Sequence, residues 1–321
     1  MSVCYTKAIT PSAKIAIIGA GFVGSTIAYT MMLEGVASEI VLIDIDKEKA
    51  TGEAYDLRHC MQFTRSVSVE AGDSFDLVKG ASIVVVCAGF AQKVGEPRVN
   101  LLSENVKIFK SVIPKIVKCN SDCILLIVTN PLDVLTYVTL KLSGMPSCRV
   151  FGTGTVLDTS RLRYLIGQHL KVSPKDITAY VLGEHGDSEF VWWSKANIAG
   201  IPLNNFPTFT TEIMDKIYTR TRDSVYEVIK RKGATYYAVS AAVSKLVRAI
   251  IQGQSRVFTL STLIEEEVYG IKDVCISVPT IIGANGVCQR LSIELDAKEK
   301  GLFIDSAIKI KESIRSISSL I

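Results

Sequence analysis

Histidine is scarce in this chain. Among its 321 residues there are three, His59, His169 and His185, so proton chemistry near neutral pH has few places to sit. Long hydrophobic runs are missing. The longest, Ile83–Ala91, is broken at Gly89 and falls far short of the roughly 20 residues that a bilayer requires. A mean hydropathy of +0.31 therefore reads as many buried strands. The excess of one charge is small, a net +4. Lys and Arg number 36 against 32 Asp and Glu, with no basic block or aromatic-interleaved basic stripe, so no nucleic-acid partner is expected. The 8 cysteines include no C-x-x-C, and Cys119/Cys123 has no matching second pair, so no metal site is expected. Met1 to Ala13 alternates polar and apolar residues and carries no apolar run of signal-peptide length. Reduced thiols in a cytoplasm are the expectation, with no membrane attachment.

What is present is the composition of a packed globule, 48% hydrophobic and 21% charged. Lys14–Gly19, Glu39–Asp44, Ser82–Ala88 and Cys123–Thr129 read as strands apolar on both faces, as a parallel sheet covered on both sides requires. Helical patterns lie between them, at about 24–35, 46–63 and 98–118. This alternation predicts a Rossmann-type doubly wound parallel α/β sheet. The second half reads as α+β. A strand over Ile177–Leu182 precedes a glycine-flanked loop, and two long helices follow at about 209–231 and 235–252. Antiparallel strands are predicted at Val257–Ile264, Asp273–Ile282 and Gly286–Ile293, with Asn285-Gly286 as a type I′ hairpin signal. A helix over about 297–318 closes the pattern. The expected division is a cofactor domain over 1–152 and a substrate domain over 153–321.

Gly19-Ala20-Gly21-Phe22-Val23-Gly24 is G-x-G-x-x-G placed between a strand and a helix. Gly19 permits the tight turn, Gly21 lets backbone approach a pyrophosphate, and Gly24 allows close helix–strand packing. Phe22 and Val23 open the helix whose free N–H groups face the phosphates. Asp44 ends the next strand, 20 residues after Gly24. A carboxylate there accepts from a ribose and repels a 2′-phosphate, which favours NAD over NADP.

His185 lies in Gly183-Glu-His-Gly-Asp187, on a loop after a strand, where a titratable ring suits reversible proton transfer. His59 and His169 read as structural or solvated. Asp158 and Arg161, three apart, share one face of a helix. They either pair with each other, or the carboxylate orients a histidine while the guanidinium grips a substrate carboxylate.

Taken in order, GAGFVG, LID, CAGFAQKVGEPRVNLL, VTNPLDVLTY, FGTGTVLDTSRLR, GEHGDSE and KGATYYA make the chain resemble the lactate/malate dehydrogenases from about residue 14 to 250. The resemblance implies hydride exchange between NAD(H) and a small 2-hydroxy acid. It makes His185 the proton donor and acceptor, Asp158 its partner, and Arg161 the grip on the substrate carboxylate. Arg98 matches the arginine that polarises the ketone, Asn130 the asparagine near carbonyl and nicotinamide, and Thr235 a hydroxyl lining the pocket. It also implies a cis bond at Asn130-Pro131 and a lid over Gly89–Asn100. Gln92 aligns with the lid position that is usually Gln for lactate and Arg for malate; a second substrate carboxylate buried without a cation is costly, so pyruvate is favoured. A malate enzyme or a broad L-2-hydroxy-acid dehydrogenase is the alternative. The family is typically homotetrameric, with a dimer as the alternative here because the segment before Ala13 is short. Arg163 matches an arginine that binds fructose 1,6-bisphosphate in bacterial members. Its usual histidine partner is replaced by Thr178, so activation is expected to be weak or absent, with Arg163 in a structural ion pair.

Overall fold

The computed structural model describes residues 13–90 and 98–320. In chain order the elements begin with β1 Lys14–Ile18, α1 Phe22–Glu34, β2 Glu39–Ile43, α2 Lys47–His59, β3 Ser68–Gly72 and β4 Ile83–Val86. Next come α3 Arg98–Cys119, β5 Ile124–Ile127, α4 Leu132–Ser143, β6 Val150–Gly152 and α5 Val156–Leu170. Five two-residue strands follow: β7 Ile177–Thr178, β8 Val181–Leu182, β9 Phe190–Val191, β10 Asn197–Ile198 and β11 Ile201–Pro202. The rest is α6 Thr211–Lys232, α7 Tyr237–Ile251, β12 Arg256–Leu263, β13 Cys275–Gly283, β14 Gly286–Arg290 and α8 Ala297–Ser316.

The central strands are apolar throughout because each feeds two cores. Ile15, Ile17, Ile40, Leu42, Ile83 and Val85 face α1, α2 and α7, packing with Ile27, Met31 and Leu246. Their alternate neighbours Ala16, Ile18, Val41, Ile43, Val84 and Val86 face the other way, onto Phe109 of α3, Leu135 of α4 and Phe303 of α8. Strands buried on both faces have no polar side to alternate with. A third apolar cluster, with Leu162, Ile166 and Ile217, joins α5 to α6.

The doubly wound half is as expected, with strand order β3-β2-β1-β4-β5-β6 and parallel pairing throughout. The antiparallel strands do not form a sheet of their own. They continue this one as β6-β12-β13-β14, giving nine strands, through a single antiparallel pairing of Ser261 with Gly152. Contact is close there, since a Cβ on Gly152 would lie 3.1 Å from that of Ser261.

Four local expectations are corrected. The strand expected over Ile177–Leu182 is two, β7 pairing with β10 and β8 with β9, because the chain changes sheets between them. The β13–β14 hairpin exists, but its two-residue loop is Ala284-Asn285, and neither has positive φ, so the turn is not type I′. Gly286 instead takes the positive φ, 95°, and the register shifts further along the hairpin, between Ile281 and Ile282. The stretch near Phe63 is a short 3-10 turn over Cys60–Phe63, not the end of a long helix. Thr235 lies in the connection before α7 and not within it.

Candidate active site

The strand order reverses between β1 and β4, and a crevice opens there at the carboxyl ends of the strands. Gly19 turns the chain with φ 101°, and a Cβ on it would lie 2.8 Å from the Ala88 backbone nitrogen. A Cβ on Gly24 would meet the Gly19 carbonyl oxygen at 1.9 Å, so no other residue lets α1 sit so close to β1. Gly21 caps α1 without a side-chain bond, and nothing lies within 4 Å of where its Cβ would be. The cradle is thus open at the one glycine where backbone must meet a pyrophosphate, and the donor set fits a dinucleotide. Half-buried Asp44, just past β2, accepts the Ala20 N–H at 2.6 Å and the Asp46 N–H at 3.0 Å, which fixes its carboxylate at the crevice edge. Phe22 is exposed and stacks on Tyr236 at 5.4 Å, next to Thr235, while Val23 packs at the margin of the core.

Asn130 follows β5, exposed, and its bond to Pro131 is cis, as the resemblance implied. Its carbonyl accepts a 2.7 Å bond from Asn105 of α3, whose Oδ1 accepts from the Phe90 N–H at 2.8 Å. Fully buried Asn105 thus ties the segments after β4 and β5 together, a role with no sequence signal beyond a polar residue on an apolar helix face.

The catalytic candidates converge. Asp158 and Arg161 project from α5, and His185 from the loop between β8 and β9. His185 Nδ1 lies 2.6 Å from Asp158 Oδ2, and Arg161 Nη1 donates to Asp158 Oδ1 at 2.7 Å. The Asp/Arg pairing and the contact of the carboxylate with a histidine therefore occur together, with one carboxylate oxygen for each partner. Asp158 is 2% exposed. Burial alone would raise its carboxyl, but the His185 ring and the Arg161 guanidinium outweigh burial and hold it below the usual carboxylate range. Burial would likewise strip the proton from His185, and the Asp158 charge, with a smaller contribution from Asp133, raises it above the ordinary histidine value. An imidazole whose charged form is favoured in this way can donate its proton to a developing alkoxide.

Three elements far apart in sequence hold the His185 loop. Asp133 of α4 accepts the His185 N–H at 2.7 Å. Ser277 of β13 exchanges both backbone bonds with Gly183, at 3.1 and 3.0 Å. Ser306 of α8 accepts the Glu184 N–H at 2.7 Å. Gly183 has φ 94°, and a Cβ there would press on Ser306 Oγ at 2.8 Å. Burial pushes the Asp133 carboxyl up to about 7, against the bond from the His185 N–H. Glu189 also reaches the cluster, with ligand atoms of Asp158, His185 and Glu189 all within 4.8 Å of one another. The Arg161 guanidinium bound to the same carboxylate opposes a metal cation there. None of Asp133, Glu189 or Ser306 was singled out by sequence.

Gln92 lies outside the described residues, as does most of the expected lid. Arg98 is the first residue of α3. His169 bonds the Thr208 carbonyl at 2.8 Å and edges onto Phe209, a structural role. Among the described residues Arg163 makes no ion pair; its Nε donates to the Ala179 carbonyl at 2.9 Å and its guanidinium lies over the Tyr180 ring.

Known proteins place this arrangement. The profile described as lactate/malate dehydrogenase, NAD binding domain, matches residues 13–152, and that for the alpha/beta C-terminal domain matches 155–321. An L-lactate dehydrogenase of Acetivibrio thermocellus is 49% identical over 309 residues, covering 95% of this chain and 97% of that protein. L-lactate dehydrogenase 1 of Clostridium acetobutylicum is 48% identical over 309 residues, covering 95% and 98%. A lactate dehydrogenase from a Medee basin deep-sea metagenome library superposes with a TM-score of 0.92 at 40% identity, covering 96% and 99%. The minor L-lactate dehydrogenase of Enterococcus mundtii, in a ligands-bound form, gives 0.92 at 36%, with the same coverage. With both domains matched along almost the whole chain, the protein belongs to the lactate/malate dehydrogenase family.

Proposed function

We propose that the protein catalyses the reversible NAD(H)-dependent interconversion of pyruvate and L-lactate. The observation that carries this reading is the His185–Asp158–Arg161 chain, built on the buried Asp158 carboxylate and set beside a glycine fingerprint of dinucleotide type. Gly19, Gly21, Phe22, Val23, Gly24, Asp44 and Asn130 hold the cofactor within 1–152, with Asp44 selecting NAD over NADP. When bound, the nicotinamide supplies or accepts the hydride. Arg161 meets the substrate carboxylate with the donors it does not give to Asp158. His185 gives its Nε2 proton to the C2 oxygen as charge develops there, and Asp158 stabilises the ring while it is charged. Arg98 adds positive charge to the same oxygen, and Thr235 lines the pocket.

Pyruvate is preferred to oxaloacetate because Gln92 supplies no cation for a second carboxylate. Steady-state kcat/KM with NADH for the two substrates tests the reading, and a preference for oxaloacetate would sink it. Gln92→Arg is expected to shift the ratio toward oxaloacetate; an unchanged ratio would show that Gln92 does not sit at the discriminating position. Among the described residues no helix is long and apolar enough to cross a membrane. Free thiols such as Cys87, pushed up to about 12 by burial, fit a reducing cytoplasm. Activation by fructose 1,6-bisphosphate is expected to be weak, since Arg163 is engaged by Ala179 and Tyr180 and Thr178 is neutral. A several-fold fall in the pyruvate KM with effector would show that nearby cations such as Lys175, Lys245 and Arg256 replace the missing histidine.

A further inference from the structure

Glu189 sits four residues after His185 and is 3% exposed. Its main chain is fixed at both ends. The N–H donates to the Gly186 carbonyl at 3.2 Å, and its own carbonyl accepts the Tyr218 hydroxyl at 2.6 Å. Its side chain therefore points where the backbone puts it, into the cluster with Asp158 and His185. There, among the described residues, Oε1 is buried without a hydrogen-bond partner. A buried, ionised carboxylate with an unmatched oxygen, a few ångströms from a second carboxylate, is costly in desolvation and repulsion together. The cations in reach are already committed, Arg161 to Asp158 and Arg222 to Asp223.

A proton resolves this. With Asp158 ionised between His185 and Arg161, Glu189 holds the acidic proton of the pair, and its O–H fills the missing bond. We propose that Glu189 is a positioning residue that stays protonated and donates a hydrogen bond to Asp158, so that the Asp158–Glu189 pair presents one negative charge rather than two to His185. Burial first, and the Asp158 charge second, raise the Glu189 carboxyl well above its ordinary value, in the same sense. The other groups around the cluster are Asp133 of α4, Glu184 of the His185 loop, and Tyr218, Arg222 and Asp223 of α6. The donated bond spreads the Asp158 charge and tempers how strongly that charge holds the His185 proton. The inference rests on His185 being the proton donor proposed above.

Two measurements test it. The first needs no substrate, so it can fail without involving the proposed reaction. In the infrared difference between wild-type protein and Glu189→Gln near neutral pH, the C=O stretch of a neutral carboxylic acid is expected. Carboxylate bands in its place would overturn the proposal. The second is the pH profile of pyruvate kcat/KM. Glu189→Gln, neutral and able to donate, is expected to leave the alkaline limb unmoved. Glu189→Leu, or Glu189→Met should Leu not fold, removes the donor and is expected to move that limb to higher pH by on the order of one unit. If Gln instead lowers the limb by about one unit or more, Glu189 is ionised in the native protein and the proposal fails. An apolar variant with an unmoved limb would also overturn it, because a merely structural side chain leaves the profile where it is.

Discussion

At the scale of single residues, His185 is the group whose removal says most. His185→Asn keeps the shape and removes the proton, so turnover with pyruvate is expected to fall at least about 100-fold while NADH binding stays near normal. Fluorescence titration of NADH beside steady-state rates checks both halves. Asp158 sets the pH range. Since its charge raises His185 above the ordinary histidine value, the protonated form needed to reduce pyruvate persists above that value. Activity then declines as pH rises through the raised pKa. In Asp158→Asn that charge is gone and only the smaller Asp133 contribution is left against burial, which disfavours imidazolium. The alkaline limb is expected to move to lower pH by about one unit or more, and a limb that stays in place would separate Asp158 from the proton step. His185, Asp158 and Arg161 were legible in the sequence because glycine-flanked histidines and i, i+3 charge pairs are local patterns. Asp133 and Asn105 were not, since each acts on backbone brought close by folding. Asp133 meets a residue 52 positions away, and nothing in its neighbourhood announces that.

Among the elements, the same logic separates what could be read from what could not. Four strands of the parallel sheet are visible as apolar runs because both faces are covered. The fifth and sixth positions are less clear. β3 is an edge strand of composition SVEAG with two buried residues, and β6 is three residues long. Helix α4 was missed for the opposite reason. Every residue from Leu132 to Leu140 is buried, so no polar stripe marks its period. Helix α8 shows how an element terminus serves a distant loop. Asp296 caps it by accepting the Glu299 N–H at 2.8 Å, and Glu299 returns a bond to the Asp296 N–H at 3.0 Å. Glu299 is buried and also accepts the Ser194 N–H and hydroxyl, at 2.9 and 2.7 Å. Glu299→Ala removes one arm of the capping box and the acceptor of the two Ser194 bonds, at an expected cost of about 1 kcal/mol. A urea midpoint equal to that of wild type would show that the box contributes nothing.

For the whole molecule, the distribution of surface apolar groups points to association. Leu33 on α1, Tyr55 on α2 and Tyr164 on α5 are each more than half exposed, and such residues on neighbouring helices are usual where copies meet. A homotetramer is expected from light scattering at micromolar protein, with a dimer as the smaller closed assembly; a monomer mass would contradict both.

The three anchors of the His185 loop also order events in time. The glycine fingerprint and all six parallel strands lie before residue 153, whereas two of the three anchors, Ser277 and Ser306, come near the end of the chain. During synthesis, which proceeds from the N-terminus, the half that grips a dinucleotide emerges first. A growing chain therefore carries its glycine fingerprint before either late anchor has been made, and the His185 loop gains its full set of anchors only once β13 and α8 are in place.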